Sequence, residues 1–87
     1  MVTRSITIQN SFGLHARPAT YFIQKANKYT SSISVIKDDR KVNAKSLLGV
    51  LSLGVVQGMT ITLEAEGADE NDAIEGLVTL IESGFEN

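Results

Sequence analysis

The spacing of the apolar residues constrains this chain most, because it switches between every second residue and every third or fourth residue. Four segments alternate apolar with polar residues, as half-buried β-strands do. The apolar members of these predicted strands are Ile6 and Ile8, Ile33 and Val35, Val42 and Ala44, and Ile61, Leu63 and Ala65. Mostly serine, threonine and glutamate stand between them, so one face of the sheet should contact water and helices should cover the other.

Three other segments show features of helices. The first starts at Ala16, with Pro18 in its first turn and apolar residues at i, i+3 and i+4 spacing. The second is a short helix after Ser46, a favourable N-cap, and the third covers residues 70–83 with Asp69 as its N-cap. The stripes predicted to be buried are Ala19, Phe22, Ile23, Ala26 and Tyr29 in the first helix, and Ala73, Ile74, Leu77, Val78 and Ile81 in the third. The predicted order is β-α-β-β-α-β-α, an α+β fold.

Length and composition exclude several classes of protein. A chain of 87 residues is expected to form one domain, residues 1–87, with a modest core and no elaborate catalytic cleft. Because it has no cysteine and a single histidine, we predict no metal site, and we expect no cofactor. No apolar run approaches the ~18 residues that a membrane helix needs, so we expect a cytoplasmic protein without membrane contact.

Charge is distributed unevenly along the sequence. All eight lysines and arginines lie at or before Lys45, and eight of the ten acidic residues lie at or after Glu64. This asymmetry permits a basic face that binds acidic proteins. We expect protein partners and no nucleic acid.

The only histidine, His15, lies where a loop is predicted to become the first helix, in the sequence GLHARPA (13–19). A histidine at this place faces unpaired amide N–H groups and the positive end of the helix dipole, and Arg17 adds a cation. Both would favour neutral, nucleophilic imidazole before phosphoryl transfer and the phosphate dianion afterwards. The pattern predicts that His15 carries a phosphoryl group. The alternative is a capping or surface histidine, with Arg17 a solvated helix residue.

Two separated motifs resemble the histidine-containing phosphocarrier family, HPr. They are GLHARPAT (13–20) and KSLLGVLSLG (45–54), and VN (42–43), QG (57–58) and GADE (67–70) also match. The resemblance implies an open-faced β-sandwich, with a four-stranded antiparallel sheet in order 1-4-2-3 and three helices on one face. It also implies a phosphocarrier of the bacterial phosphoenolpyruvate-dependent sugar phosphotransferase system, and not an enzyme. His15 would accept phosphate on Nδ1 from enzyme I and pass it to enzyme IIA proteins.

Ser46 matches the position that HPr kinase/phosphorylase modifies in the low-GC Gram-positive branch of this family. The resemblance implies carbon catabolite regulation, with catabolite control protein A as a further partner that reads phosphorylated Ser46. The alternative for Ser46 is an ordinary helix cap, and the two roles are compatible. We expect a small apolar docking surface around His15 that makes brief contacts, on a protein that is a monomer. Its predicted residues are Ala16, Thr20, Gln24, Asn27, Leu47, Leu48 and Leu51, although leucines are more often core.

Other functions stay open at this point. One is the nitrogen-related branch of the phosphocarriers, which the closing ESGF (82–85) faintly resembles. Another is a regulatory binding module, because a known HPr paralogue of that kind lacks the active-site histidine. A phosphoesterase working through phosphohistidine would need an acid–base partner that the sequence does not offer. Asp39 and Met59 depart from the common family pattern and raise questions about local turn geometry only.

Overall fold

The computed structural model describes residues 1–10, 13 and 16–85, apart from the side chain of Ala16. The predicted order of elements and the predicted sheet are both confirmed. The four strands form one antiparallel sheet in the order β1-β4-β2-β3. In chain order the elements are β1 (Val2–Thr7), α1 (Ala16–Ala26), β2 (Ser32–Lys37), β3 (Arg40–Asn43), α2 (Leu47–Ser52), β4 (Thr60–Glu66) and α3 (Glu70–Glu82).

The two faces of the sheet differ in polarity, as the alternating pattern predicts. Ile61, Leu63 and Ala65 of β4 are buried beneath the helices, together with Ile33 and Val35 of β2. The opposite face carries hydroxyl groups that pair across β1 and β4. Ser5 Oγ lies 3.1 Å from Thr62 Oγ1, and Thr7 Oγ1 lies 2.8 Å from Thr60 Oγ1. All three helices therefore have one apolar surface to pack on, while the other side of the sheet faces solvent.

The apolar stripe predicts Tyr29 as part of the first helix, but α1 ends three residues earlier, at Ala26. The Tyr29 side chain is half-buried, and its hydroxyl oxygen occupies the space that a Cβ on Gly76 would need. A side chain at position 76 would therefore collide with Tyr29. Glycine at this position of α3 permits the close approach of α1 and α3.

The turn between β2 and β3 consists of Asp38 and Asp39, with Lys37 opposite Arg40 in the register. The positive φ of this turn, 55°, falls on Asp38 and not on Asp39, where the family pattern favours glycine. Aspartate tolerates the left-handed region better than most residues, because its short side chain can bond to the local backbone. The departure at Asp39 thus leaves a regular two-residue hairpin.

Asp69 occupies the predicted N-cap position of α3, but its side chain does not cap that helix. Its carboxylate instead accepts hydrogen bonds from Thr30 N and Ser31 N, each at 2.9 Å, and from Ser31 Oγ. These bonds, led by the one from the Ser31 hydroxyl, lower the pKa of Asp69 to about 2. The carboxylate therefore joins the start of α3 to the loop before β2.

Within the described ranges, no helix is long and apolar enough to cross a membrane.

Candidate functional site

His15 lies outside the described residues, as do Ser11, Phe12 and Leu14. The site is therefore built from the residues on both sides of it: Gly13, which is described, and the helix that begins at Ala16. Ala16 is the first residue of α1, as predicted.

Gly13 packs closely against the loop that contains Val55 and Val56. It is buried, its φ is +58°, and a Cβ at this position would lie 2.5 Å from Val55 O and 2.6 Å from Val56 Cα. Both the backbone angle and the space thus require glycine. The neighbouring backbone is also joined to this loop, because Gly58 N donates to Ile8 O at 2.8 Å and Gln57 Nε2 donates to Gln9 O at 2.9 Å.

Three of the predicted partner-binding residues, Thr20, Gln24 and Asn27, lie with Arg17 on one exposed face of α1, and the side chain of Ala16 lies outside the described residues. Arg17, Thr20, Gln24 and Asn27 are all exposed, and their spacing of three and four residues places them on one side of the helix. Arg17 is in the first turn, two residues after His15 in the sequence. A guanidinium can bind two oxygens of one phosphoryl group, which is the role predicted for Arg17.

Ser46 is the N-cap of α2, as predicted. Its φ and ψ are −108° and 117°, and its hydroxyl oxygen accepts a 3.2 Å hydrogen bond from Gly49 N. The backbone before it is also fixed, because Lys45 N donates to Asn43 Oδ1 at 2.8 Å and Lys45 Nζ donates to Tyr29 O at 2.7 Å. Ser46 is only partly buried, and the hydrogen bond from Gly49 N gives its hydroxyl a defined position at the start of α2.

The three leucines of α2 differ in exposure. Leu48 is 81% exposed and Leu47 is 41% exposed, whereas Leu51 is partly buried against the core. Val50 supplies the buried side of the helix. A six-residue helix therefore anchors itself with one side and presents two leucines to solvent on the other.

The C-terminal end of α2 is bound by two cations that the sequence reasoning missed. Arg40 donates to Ser52 O at 2.7 Å and to Ser52 Oγ at 3.0 Å, and Lys37 Nζ donates to Leu53 O at 3.2 Å. Cations at a helix C-terminus satisfy carbonyls that have no partner inside the helix. Both residues flank the β2–β3 turn, and no sequence signal links that turn to α2.

The structure brings the predicted site residues together along α1, but not at one point. Asn27 Nδ2 lies 3.5 Å from Lys45 O, which places Ser46 and α2 beside the C-terminal end of α1. Arg17 lies ten residues earlier, about 15 Å along the helix axis at 1.5 Å per residue. The surface that these residues form is therefore elongated, with Arg17 at one end and Ser46 at the other.

Sequence comparisons agree with this architecture. Residues 2–83 match the family model described as the PTS HPr component phosphorylation site. The HPr-like protein Crh of Halalkalibacterium halodurans is 49% identical over 82 residues, covering 94% of this chain and 98% of that protein. Phosphocarrier protein HPr of Buchnera aphidicola is 49% identical over 77 residues, covering 88% and 91%.

Solved structures give the same result. The crystal structure of HPr-C-His from Thermoanaerobacter tengcongensis has a TM-score of 0.96 and 56% identity, covering 100% of this chain and 99% of that one. Crh from Bacillus subtilis, solved as a domain-swapped dimer, has a TM-score of 0.78 and 41% identity and covers all of both chains. The chain therefore belongs to the HPr family, whose members are phosphocarriers and not enzymes.

Proposed function

We propose that this protein is the phosphocarrier of a phosphoenolpyruvate-dependent sugar phosphotransferase system, accepting phosphate from enzyme I and delivering it to enzyme IIA proteins. The observation that carries this proposal is Arg17, exposed in the first turn of α1 two residues after the only histidine. We also propose that residues 1–87 form one HPr-like domain, acting in the cytoplasm without a cofactor.

In the proposed transfer, the neutral imidazole of His15 attacks the phosphorus through Nδ1. The new N–P bond forms as the bond between phosphorus and enzyme I breaks, and the donor group on enzyme I keeps the electron pair of that bond. Arg17 and the amide N–H groups at the start of α1 stabilise the negative charge on the phosphoryl oxygens. In the second transfer, phosphorylated His15 is the donor: its N–P bond breaks as the acceptor group of enzyme IIA bonds to phosphorus.

Docking is proposed to use the exposed face of α1 and the leucines of α2. Leu47 and Leu48 are apolar and exposed, and Thr20, Gln24 and Asn27 lie along the neighbouring helix; Ala16 and Leu51 complete the proposed surface. A small apolar contact with a polar surround suits a carrier that must release each partner quickly. Arg17 and the other basic residues, which all lie at or before Lys45 in the sequence, favour acidic partners such as enzyme I.

We further propose that Ser46 is a regulatory phosphorylation site for HPr kinase/phosphorylase, and that catabolite control protein A reads it. Phosphate would place a charge of about −2 next to exposed Leu47 and Leu48. Such a charge opposes docking to an acidic enzyme I while creating a new recognition feature for another partner.

The second candidate is a regulatory module of the Crh type, which the 49% identity to Crh of Halalkalibacterium halodurans favours. The two classes differ at the residue on which phosphate is carried, and this chain has histidine at position 15. The nitrogen-related phosphocarrier branch shares that histidine. It is distinguished from the sugar branch by the enzyme I that donates the phosphate.

A monomer is proposed for the carrier role. Crh of Bacillus subtilis forms a dimer, so light scattering on the purified protein decides the state.

The decisive experiment is phosphoryl transfer from enzyme I and phosphoenolpyruvate to the wild type, His15→Ala and Arg17→Lys. We expect acid-labile label on the wild type only at His15, none on His15→Ala, and slower transfer to Arg17→Lys because lysine cannot make a bidentate contact. Label that persists on His15→Ala would refute the carrier role. A matched nitrogen-branch enzyme I, used in parallel, identifies the branch.

The regulatory proposal is tested with Ser46→Asp against Ser46→Asn. Both side chains can cap α2, but only aspartate adds charge, so slower transfer from enzyme I to Ser46→Asp alone supports repulsion. Equal transfer rates in the two variants would contradict it. Incubation with HPr kinase and ATP should give acid-stable label that Ser46→Ala lacks.

A further inference from the structure

Asn10 makes two hydrogen bonds to the same residue three positions later. Its side-chain Nδ2 donates to Gly13 O at 2.9 Å, and its backbone O accepts from Gly13 N at 3.2 Å. Together the two bonds close a ring that fixes both backbone polar groups of Gly13. Few side chains could make this contact, because it needs a short donor that reaches a carbonyl three residues ahead.

Gly13, which Asn10 binds, also packs against a separate loop. The close approach of Gly13 to Val55 O and Val56 Cα leaves no room for a Cβ. Two hydrogen bonds to Met59 fix that loop: Val56 N donates to Met59 Sδ at 3.5 Å, and Ile8 N donates to Met59 O at 2.9 Å. Position 13 is therefore set by contacts with residues distant in sequence, and Asn10 is the side chain that holds it there.

The Asn10 side chain uses only half of its bonding groups. Its Oδ1 is buried, and within the part of the chain that the structure describes this is the one buried side-chain polar atom without a hydrogen-bond partner. An unpaired buried acceptor disfavours folding. What the residue contributes is then the fixed position of Gly13, two residues before His15 in the sequence.

We propose that Asn10 is a positioning residue for phosphoryl transfer, which holds Gly13 against residues 55–56 and thereby orients the segment that carries His15. This inference rests on the carrier function proposed above and adds to it a residue outside the GLHARPAT motif. Among the described contacts, none joins Asn10 to the exposed leucines of α2. Its loss should therefore slow the chemical step and leave partner binding unchanged.

The test measures transfer from enzyme I over a range of carrier concentrations, so that kcat and KM are obtained separately. Asn10→Ala should lower kcat about tenfold and change KM by less than about twofold, because small misplacements of reacting groups cost that much or more. Asn10→Asp has the same size but no amide N–H to donate to Gly13 O, and it should lose kcat in the same way. If Asn10→Ala folds poorly, Asn10→Asp carries the test.

Two controls separate positioning from a general loss of structure. Asn71→Ala makes the same substitution at an exposed position of α3 and should leave kcat and KM unchanged. Asp69→Asn removes the charge that joins α3 to the loop before β2, and it should lower the melting temperature without lowering kcat.

Several results would overturn the inference. Wild-type kcat in Asn10→Ala, or wild-type kcat in Asn10→Asp with a low value in Asn10→Ala, would show that the donor to Gly13 O has no role. A loss confined to KM, or a kcat loss that Asp69→Asn reproduces, would do the same. Wild-type protein that enzyme I cannot label at His15 refutes the carrier function and this inference with it, and is thereby distinguished from the other outcomes.

Discussion

Helices α2 and α3 lie on the same face of the sheet but are held there by different forces. α3 has thirteen residues, of which six are buried, whereas α2 has six residues, of which only Val50 is buried. Burial of apolar surface is the main favourable term in folding. α3 is therefore fixed by the core, and α2 needs other contacts to keep a defined place.

The contacts that hold α2 are polar and lie at its two ends. The Ser46 hydroxyl accepts from Gly49 N at the start, and Arg40 and Lys37 donate to the carbonyls of Ser52 and Leu53 at the end. Because its ends are fixed from outside, the helix can leave Leu47 and Leu48 exposed. The comparison distinguishes a helix that the core holds in place from a helix that is held at its ends, and the proposed docking role belongs to the second.

The largest expected effect is on the stability of the core helix. Leu77 is fully buried in α3, so Leu77→Ala removes apolar contacts and leaves a cavity. We expect it to lower the free energy of unfolding by about 2–5 kcal/mol, as such substitutions do. Urea unfolding followed by circular dichroism measures this change. Transfer from enzyme I, assayed where the variant is still folded, should keep its wild-type KM.

A leucine-to-alanine substitution in α2 should affect docking and leave stability almost unchanged. Leu48 is 81% exposed, so Leu48→Ala should change the free energy of unfolding by less than about 0.5 kcal/mol. It should instead raise the KM for transfer from enzyme I, by about tenfold if this leucine contributes about 1.4 kcal/mol to docking. A large loss of stability in Leu48→Ala, or an unchanged KM, would show that α2 is not specialised for docking.

The secondary structure and the core could be predicted from the sequence because both depend on periodicity. Ala73, Ile74, Leu77, Val78 and Ile81 are buried at the predicted positions, and α1 begins at Ala16 as expected. Periodicity is a local property, and each helix or strand needs only its own pattern to reveal its buried face. The strand order comes only from the family resemblance, since local patterns do not specify which strands pair.

The contacts that depend on the tertiary fold could not be predicted in this way. Asp69 is correctly placed at the start of α3, yet its carboxylate bonds to a loop 38 and 39 residues away. Arg40 likewise bonds twelve residues along the chain, to Ser52. The close contact of Gly13 with Val55 also joins distant segments. Polar residues have several possible partners, and the fold decides between them.

The smallest expected effect concerns the polar anchor of α3, and it depends on pH. The folded pKa of Asp69 is about 2, below its ordinary value of 3.8, so the ionised carboxylate stabilises the native state. This contribution is fully present above about pH 4 and is lost as the pH falls towards 2. Asp69→Asn should therefore melt at a lower temperature than the wild type at pH 6, with a difference that shrinks between about pH 4 and pH 2.

The matched control for this prediction is Asp72→Asn, the same substitution in the first turn of the same helix. Thr30 and Ser31 donate to Asp69 and, among the described contacts, not to Asp72. Melting temperatures of the three proteins, measured by calorimetry from about pH 2 to pH 6, should converge at low pH only for wild type and Asp69→Asn. A gap that stays constant with pH would mean that the Asp69 side chain acts through its shape, because the amide in Asp69→Asn would then differ from the carboxylate in geometry and not in charge. The charge of Asp69 would in that case add nothing to the attachment of α3, and the contrast with the cationic contacts at the end of α2 would be sharper.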